Sequence, residues 1–328
     1  MQLPIDVTAF IKEMADVKDE RDEPIAVSVY IDETAPNDLA AHVRNAFASS
    51  SGHVRMTVSY VGKTLVANPT DDMAVLVAGE TGLAGKQAEE IRAVGVPVMV
   101  ATLTPERIGR VSQNADHPVP DGDIVSPWDD GETSGKEEGV LTEVGAAALD
   151  ERMGRWIVAV CRSKKLSFAV AFPFMRRPLA KDSIQVTALE NAGIGIVPFI
   201  PGADLPLITL NQVKMALQIA AAYGLEIDKT RLKEVGAVIV GAYLSRSLAR
   251  KLVAAVPVVG FVFKGGVAYT TSIAMGYALL NYFEGGEDAT GVANVLERAT
   301  ETSAKAVSFV RDKAEAIAPL LANAKAQM

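Results

Sequence analysis

The sequence predicts an α/β domain built on a parallel sheet, followed by an all-α helical domain. Three observations carry this. In the first half, short β-rich apolar runs alternate with helical stretches of about ten residues, the order that gives a parallel sheet covered by helices. Two of those runs, Met73–Ala78 and Val96–Thr102, are almost continuously apolar, as strands buried on both faces are. From Asp182 onward strand patterns stop and long helical periodicities replace them.

Taken in order, residues 1–24 read as a helical arm with Val7, Phe10, Ile11 and Met14 on one stripe, running into the charged tract Lys18–Glu23. Asp6, Lys12 and Glu13 leave no apolar h-region there, so no signal peptide is expected. Ile25–Ile31 reads as a strand and Asp38–Ala48 as a helix. Val54–Tyr60 alternates like a half-buried strand, and Gly62-Lys63 predicts a hairpin turn into Thr64–Ala67. Helix Gly85–Val94 separates the two apolar strands, and Asp123–Ser126 is a last short strand. Residues 129–139 (DDGETSGKEEG) form an acidic linker, and Leu141–Val160 a closing helix, so the α/β domain covers 25–161. A basic junction, 162–181, leads to the helical domain, 182–328. Its helices are Ser183–Ile196, Leu205–Tyr223, Lys229–Val256, Val258–Phe283 and Val292–Ala326, punctuated by Pro198, Pro201-Gly202, Gly224, Pro257 and Gly285-Gly286.

Composition narrows the function. A chain of 328 residues with 49% hydrophobic residues has ample material for two cores. Net charge −8 and a pI near 5.1 argue against nucleic acid as a partner. Cys161 is the single cysteine, so no disulfide framework is expected. At the end of an amphipathic helix it reads as a packing residue, with activation by Arg162, Lys164 and Lys165 as the alternative.

The α/β half has the element order of a P-loop NTPase, which makes the phosphate site testable. A Walker A loop needs G-x-x-x-x-G-K-[S/T] between the first strand and its helix, so that backbone N–H groups and a lysine wrap phosphate. Here that place holds Asp32-Glu33-Thr34-Ala35-Pro36-Asn37-Asp38, with three carboxylates and neither glycine nor lysine. The lone Gly62-Lys63-Thr64 falls between strand-like runs and reads as a turn. The base-recognition position after the penultimate strand holds Thr102-Leu103-Thr104-Pro105. We therefore expect a P-loop-GTPase-like sheet lacking the P-loop, with nucleotide disfavoured and no cofactor. His42, His53 and His117 are scattered, so no metal site and no catalytic residue is predicted.

Two features point to a membrane. From Arg162 to Lys181 the chain has six basic residues and no acid, namely Arg162, Lys164, Lys165, Arg176, Arg177 and Lys181. They flank the apolar run Leu166–Phe174, and cations beside a membrane segment are drawn to anionic lipid. The stretch Gly265–Phe283 has nineteen residues without a charge, near the length of a spanning helix. With Val258–Phe263 it forms the candidate span, Lys264 snorkelling near one end. The membrane-interface candidates are therefore Arg162, Lys164, Lys165, Arg176, Arg177 and Lys264. On Leu205–Tyr223, Gln212, Gln218 and Lys214 are expected to face a bundle interior. The pairs Ala237/Gly241 and Ser272/Gly276 allow close helix approach.

From Phe172 to Phe283 the chain resembles the YcjF-like bacterial domain of unknown function, a membrane-associated domain often linked to Era-like GTPases. The resemblance rests on Phe172-Pro173-Phe174 with Arg176-Arg177-Pro178, on Ile196 to Asp204 (IVPFIPGAD), on Asn211-Gln212 with Met215, on Ile219 to Gly224 (IAAAYG), and on Lys264 to Tyr269 (KGGVAY). Its motif residues Pro198, Pro201, Gly202, Asp204, Gln212, Tyr223 and Gly224 have no known role. Pro198 and Pro201 break a helix, and Asp204 can cap the next. The resemblance implies a location on the cytoplasmic side of the cell membrane. The expected function is a non-catalytic, membrane-associated binding or scaffolding protein, with lipid and a protein partner or second copy as its contacts. The alternatives are a soluble two-domain oligomer, or a nucleotide-dependent switch or enzyme with an unrecognised site.

Overall fold

A computed structural model describes residues 7–128, 140–196, 204–225 and 260–285. The chain divides into two compact units, Glu20–Leu179 and Met1–Asp19 with Ala180–Met328.

In the first unit the tail of α1 (Val7–Asp22) leads into β1 (Ile25–Asp32), α2 (Asn37–Ala46), β2 (Val54–Val61), β3 (Met73–Val77), α3 (Ala84–Ala93), β4 (Val98–Ala101), α4 (Pro105–Asn114), a single 3-10 turn and β5 (Ile124–Val125). Then come α5 (Glu143–Val160), α6 (Lys165–Ala171) and the start of α7 (Arg176–Ile196). The five strands are all parallel, in the order β2-β1-β3-β4-β5. The α/β expectation is met at this level. Strand alternation sends Tyr30, Leu76, Val98 and Val100 to the face where Ala88, Ile91 and Ile108 of α3 and α4 are buried. The opposite residues, such as Val29, Val75 and Met99, are equally buried. On that side α2 and α5 are tied together by His42 and Asp150, 2.7 Å apart.

Three sequence expectations change here. Thr64–Ala67 is not a strand, and β2 pairs only with β1, in parallel, so the Gly62-Lys63 hairpin is replaced by a crossover. That loop is held by the Tyr30 hydroxyl donating to Val66 O and by Gln87 Nε2 donating to Gly62 O. A helix, α4, stands after Thr104, where the sequence predicted no element. Thr104 precedes it and Pro105 opens it, a good first helical residue because its missing N–H would be unpaired anyway. The apolar run of the basic junction is core rather than surface. Leu166, Phe168 and Phe172 of α6 and its end are at most 2% exposed, and Phe47, the residue that ends α2, packs edge-on against Phe172 and Phe174 at 5.1 and 5.2 Å.

In the second unit, α7 continues past Ala180, followed by α8 (Asp204–Ala222) and α9 (Gly260–Glu284). Polar side chains link these three. Asn191 and Gln212 both donate to Ser272 Oγ, at 2.9 and 3.1 Å, and Asn211 donates to Asn191 Oδ1 at 3.0 Å. Ser272 in turn donates to Ala268 O of its own helix, as hydroxyls in apolar helices do. Gly276 lies so close to α7 that a Cβ there would sit 3.0 Å from Ile184 Cδ1. Among the described residues no helix is long and apolar enough to cross a membrane. The spanning-helix expectation for Val258–Phe283 is thereby corrected. The charge-free stretch hides Tyr269, Thr270, Thr271, Ser272 and Asn281, whose polarity a hydrocarbon core would oppose.

Candidate functional site

A doubly wound parallel sheet binds ligands outside the carboxyl ends of its strands, at the point where strand order reverses. For the order 2-1-3-4-5 that point lies between β1 and β3. Here it is filled by the chain itself. Asp32, at the end of β1 and 2% exposed, accepts from Thr34 N at 2.8 Å and from Thr34 Oγ1 at 2.7 Å through Oδ1. Its Oδ2 accepts from the Thr81 hydroxyl. Thr34 Oγ1 also accepts from Glu80 N at 2.7 Å, so the loop after β1 is stitched to the loop after β3. Gly79 marks the closest approach. A Cβ there would lie 2.6 Å from Ala35 N, which only glycine avoids. The carboxylate at the switch point thus faces inward onto the protein's own donors.

The sheet's lateral edge, at β5, borders an open cleft. A cleft of about 530 Å³ runs along β5 between α4 and α5, within the size range of ordinary ligand sites. Both tryptophans of the chain line it, Trp128 just after β5 and Trp156 on α5. Trp156 Nε1 donates to Asp123 Oδ1 at 3.1 Å, which fixes the ring. Arg152 donates from Nη1 to Ser126 O at 3.0 Å and to Trp128 O, fixing the chain after β5. Arg155, one turn along, is exposed and makes no ion pair among the described residues. Glu106 of α4 and Asp121 of the 3-10 turn are exposed on the rim.

The residues predicted at a membrane interface are dispersed in role. Lys164 is pinned inside the first unit, 2.7 Å from Asp72 Oδ1 and 2.9 Å from Pro24 O. Arg162 is exposed and donates to Ala159 O. Arg177 is exposed, whereas Lys165 and Arg176 are half-buried. Lys264 lies in α9, and its side chain is outside the described set, as are Pro198, Pro201 and Gly202. Asp204 is the first residue of α8. Gln212 and Gln218 do turn inward, onto Ser272 and Ser183, whereas Lys214 remains 43% exposed, 3.9 Å from Glu13. Ala237 and Gly241 are outside the described residues.

Gly224 has a definite structural role. At φ +82 it caps α8, with Gly224 N donating to Ala221 O at 2.9 Å and Leu225 N to Ala220 O at 3.1 Å. That pair of bonds is the Schellman ending, which needs a left-handed residue. Tyr223 stacks on Phe283 at 5.9 Å and donates to Glu284. Cys161 is buried, and desolvation, with Asp72 adding to it, pushes its thiol up to about 12 against the weaker pull of Lys164. It is a packing residue, not an activated nucleophile. Among the described residues no cluster of His, Cys, Asp and Glu could hold a metal ion. The sequence signalled the acidic loop after β1 but not the cleft, whose residues carry no motif spacing. No protein-family profile, no curated protein and no solved structure matches this chain.

Proposed function

We propose that this chain is a non-catalytic binding or scaffolding protein whose α/β unit has a GTPase-like layout without a nucleotide site. The filled crevice at the β1/β3 switch point carries this reading. Phosphate binding there requires outward N–H groups and a cation, and Asp32 supplies a buried carboxylate instead, already engaged by Thr34 and Thr81. The resemblance to YcjF-like domains motivates the proposed location at the cytoplasmic face of the cell membrane. Contact there would be peripheral, through exposed cations such as Arg162 and Arg177, at about 1 kcal/mol per cation near an anionic surface.

Titration calorimetry with magnesium and GTP or ATP at millimolar concentration tests the first part, with no saturable heat expected. A saturable, magnesium-dependent site would refute it. Vesicle flotation at low and high salt tests the second, with binding to anionic vesicles expected at low salt only.

A second reading has its own support. The buried Asn191–Gln212–Ser272 network suits a helical core packed in water, satisfied within the protein. It predicts a chain that never floats with vesicles in either salt.

A further inference from the structure

The sheet ends at β5, flanked by α4 and α5, with Ile124 half-buried and Ser126 4% exposed at the floor of the cleft. Val125 O accepts from Thr102 N of the β4 side at 3.0 Å, so Val125 turns its backbone groups toward β4. By strand alternation Ile124 and Ser126 turn theirs outward, along the cleft. Ser126 O is taken by Arg152, and Ile124 N bonds back to Asp121 O. That leaves Ile124 O and Ser126 N–H, which have no bond among the described residues. An acceptor and a donor two residues apart on one edge are what a single residue of an added parallel strand engages.

The walls match that occupant. α5 covers one face of the sheet and α4 the other, so the cleft between them lies in the plane of the sheet. A strand entering there would send alternate side chains to opposite walls. The α5 wall carries Arg155, which forms no ion pair among the described residues, and the α4 side carries Glu106 and Asp121. Gly109 and Gly122 keep the slot wide. A Cβ at Gly109 would meet nothing nearer than Ile124 Cδ1 at 3.9 Å, and one at Gly122 nothing within 4 Å.

We propose that the β5 edge takes an extended segment of a protein partner as a sixth strand, with an acidic side chain against Arg155 and a basic neighbour against Glu106 and Asp121. Main-chain pairing gives such a site its affinity and the alternate side-chain contacts give its selectivity. The inference deepens the binding reading and rests on it. Its readout is local to the cleft, so its failure leaves the calorimetric and flotation results untouched.

Because both tryptophans line the cleft, intrinsic fluorescence of the full chain reports occupancy directly. The probe is a blocked peptide of about six residues with an adjacent Glu-Lys pair between valines. A saturable fluorescence change is expected with the wild-type chain. The same peptide N-methylated at the central residues cannot pair with the edge and should bind at least about tenfold more weakly. Arg155→Glu should weaken the Glu-Lys peptide by a similar factor and be rescued by a Lys-Lys peptide, with an unchanged melting temperature. No saturable change with the wild type up to millimolar peptide would overturn the proposal. So would equal binding of the N-methylated peptide, or an Arg155→Glu chain that binds both peptides as the wild type does.

Discussion

The crevice inside the sheet and the sheet's lateral edge behave oppositely. Between β1 and β3, where a parallel sheet of this order places its ligand, the loops after both strands close on each other through Asp32, Thr34 and Thr81. Beyond β5, α4 and α5 stand apart and leave a cleft lined by Trp128, Trp156 and Arg155, which forms no ion pair among the described residues. The strand framework is the same at both places, so topology alone does not say where a protein binds. Local side chains decide. A buried carboxylate that already holds three donors of its own offers an anionic ligand neither a donor nor a favourable charge. An edge strand of two residues, by contrast, leaves backbone groups in reach of one.

The sharpest way to break this comparison is Asp32→Ala. It removes the acceptor of the Thr34 amide and of two hydroxyls. Asp32 is itself 2% exposed whereas Thr34 and Thr81 are exposed, so water replaces part of three hydrogen bonds to a charged group, each worth about 1.5–3 kcal/mol net. A loss of about 3 kcal/mol is expected in urea unfolding of the first unit, against under about 0.5 kcal/mol for Asp121→Ala on the exposed rim of the cleft. Equal effects at the two positions would remove the distinction between closed crevice and open cleft.

Next in size is a single substitution made twice. Gly79→Ala forces a Cβ 2.6 Å from Ala35 N, a backbone atom that cannot swing aside. Overpacking of this kind costs about 1–3 kcal/mol. Gly109→Ala places the same methyl inside α4 in ordinary contact, 3.9 Å from Ile124 Cδ1, where replacing glycine by alanine stabilises a helix by about 0.5–1 kcal/mol. Thermal melts of the two variants should move in opposite directions. A shift of the same sign in both would sink the packing account.

What was legible in the sequence follows the same physics. β3 and β4 announced themselves because strands buried on both faces read as nearly continuous apolar runs, and β1 as a β-rich run. The loop after β1 announced its lack of phosphate chemistry because Asp32, Glu33 and Asp38 stand where glycine and lysine are needed. α4 did not, since only Ile108 of its hydrophobic residues is deeply buried and Gly109 interrupts it. α6 was misread because a short apolar run between cations looks the same whether it faces lipid or Phe47. The crevice contacts join residues 49 apart, Asp32 and Thr81, and the cleft joins α4, β5 and α5. Neither leaves a spacing that a single chain reveals.

The smallest expected effect links the two regions. His42 lies on α2, just past the closed loop, and Asp150 lies on α5, the helix that carries the Arg155 wall of the cleft. Their side chains are 2.7 Å apart and about one quarter to one third exposed. The hydrogen bond to Asp150 is the main cause raising the His42 pKa from 6.5, opposed by desolvation. A raised folded-state pKa means the folded chain holds the proton more tightly than the unfolded one. The resulting stability is therefore fully present below the unfolded value near 6.5 and is lost as pH rises through the folded value. Partial exposure limits it to no more than about 1 kcal/mol. His42→Gln should destabilise the first unit near pH 5 and approach the wild type near pH 9, as compared by urea midpoints on either side of the histidine range. A difference that stays constant between those pH values would mean that the pair packs α5 onto α2 without its charge mattering. The wall of the cleft would then be held by the buried Leu149, Met153 and Ile157 of α5 alone.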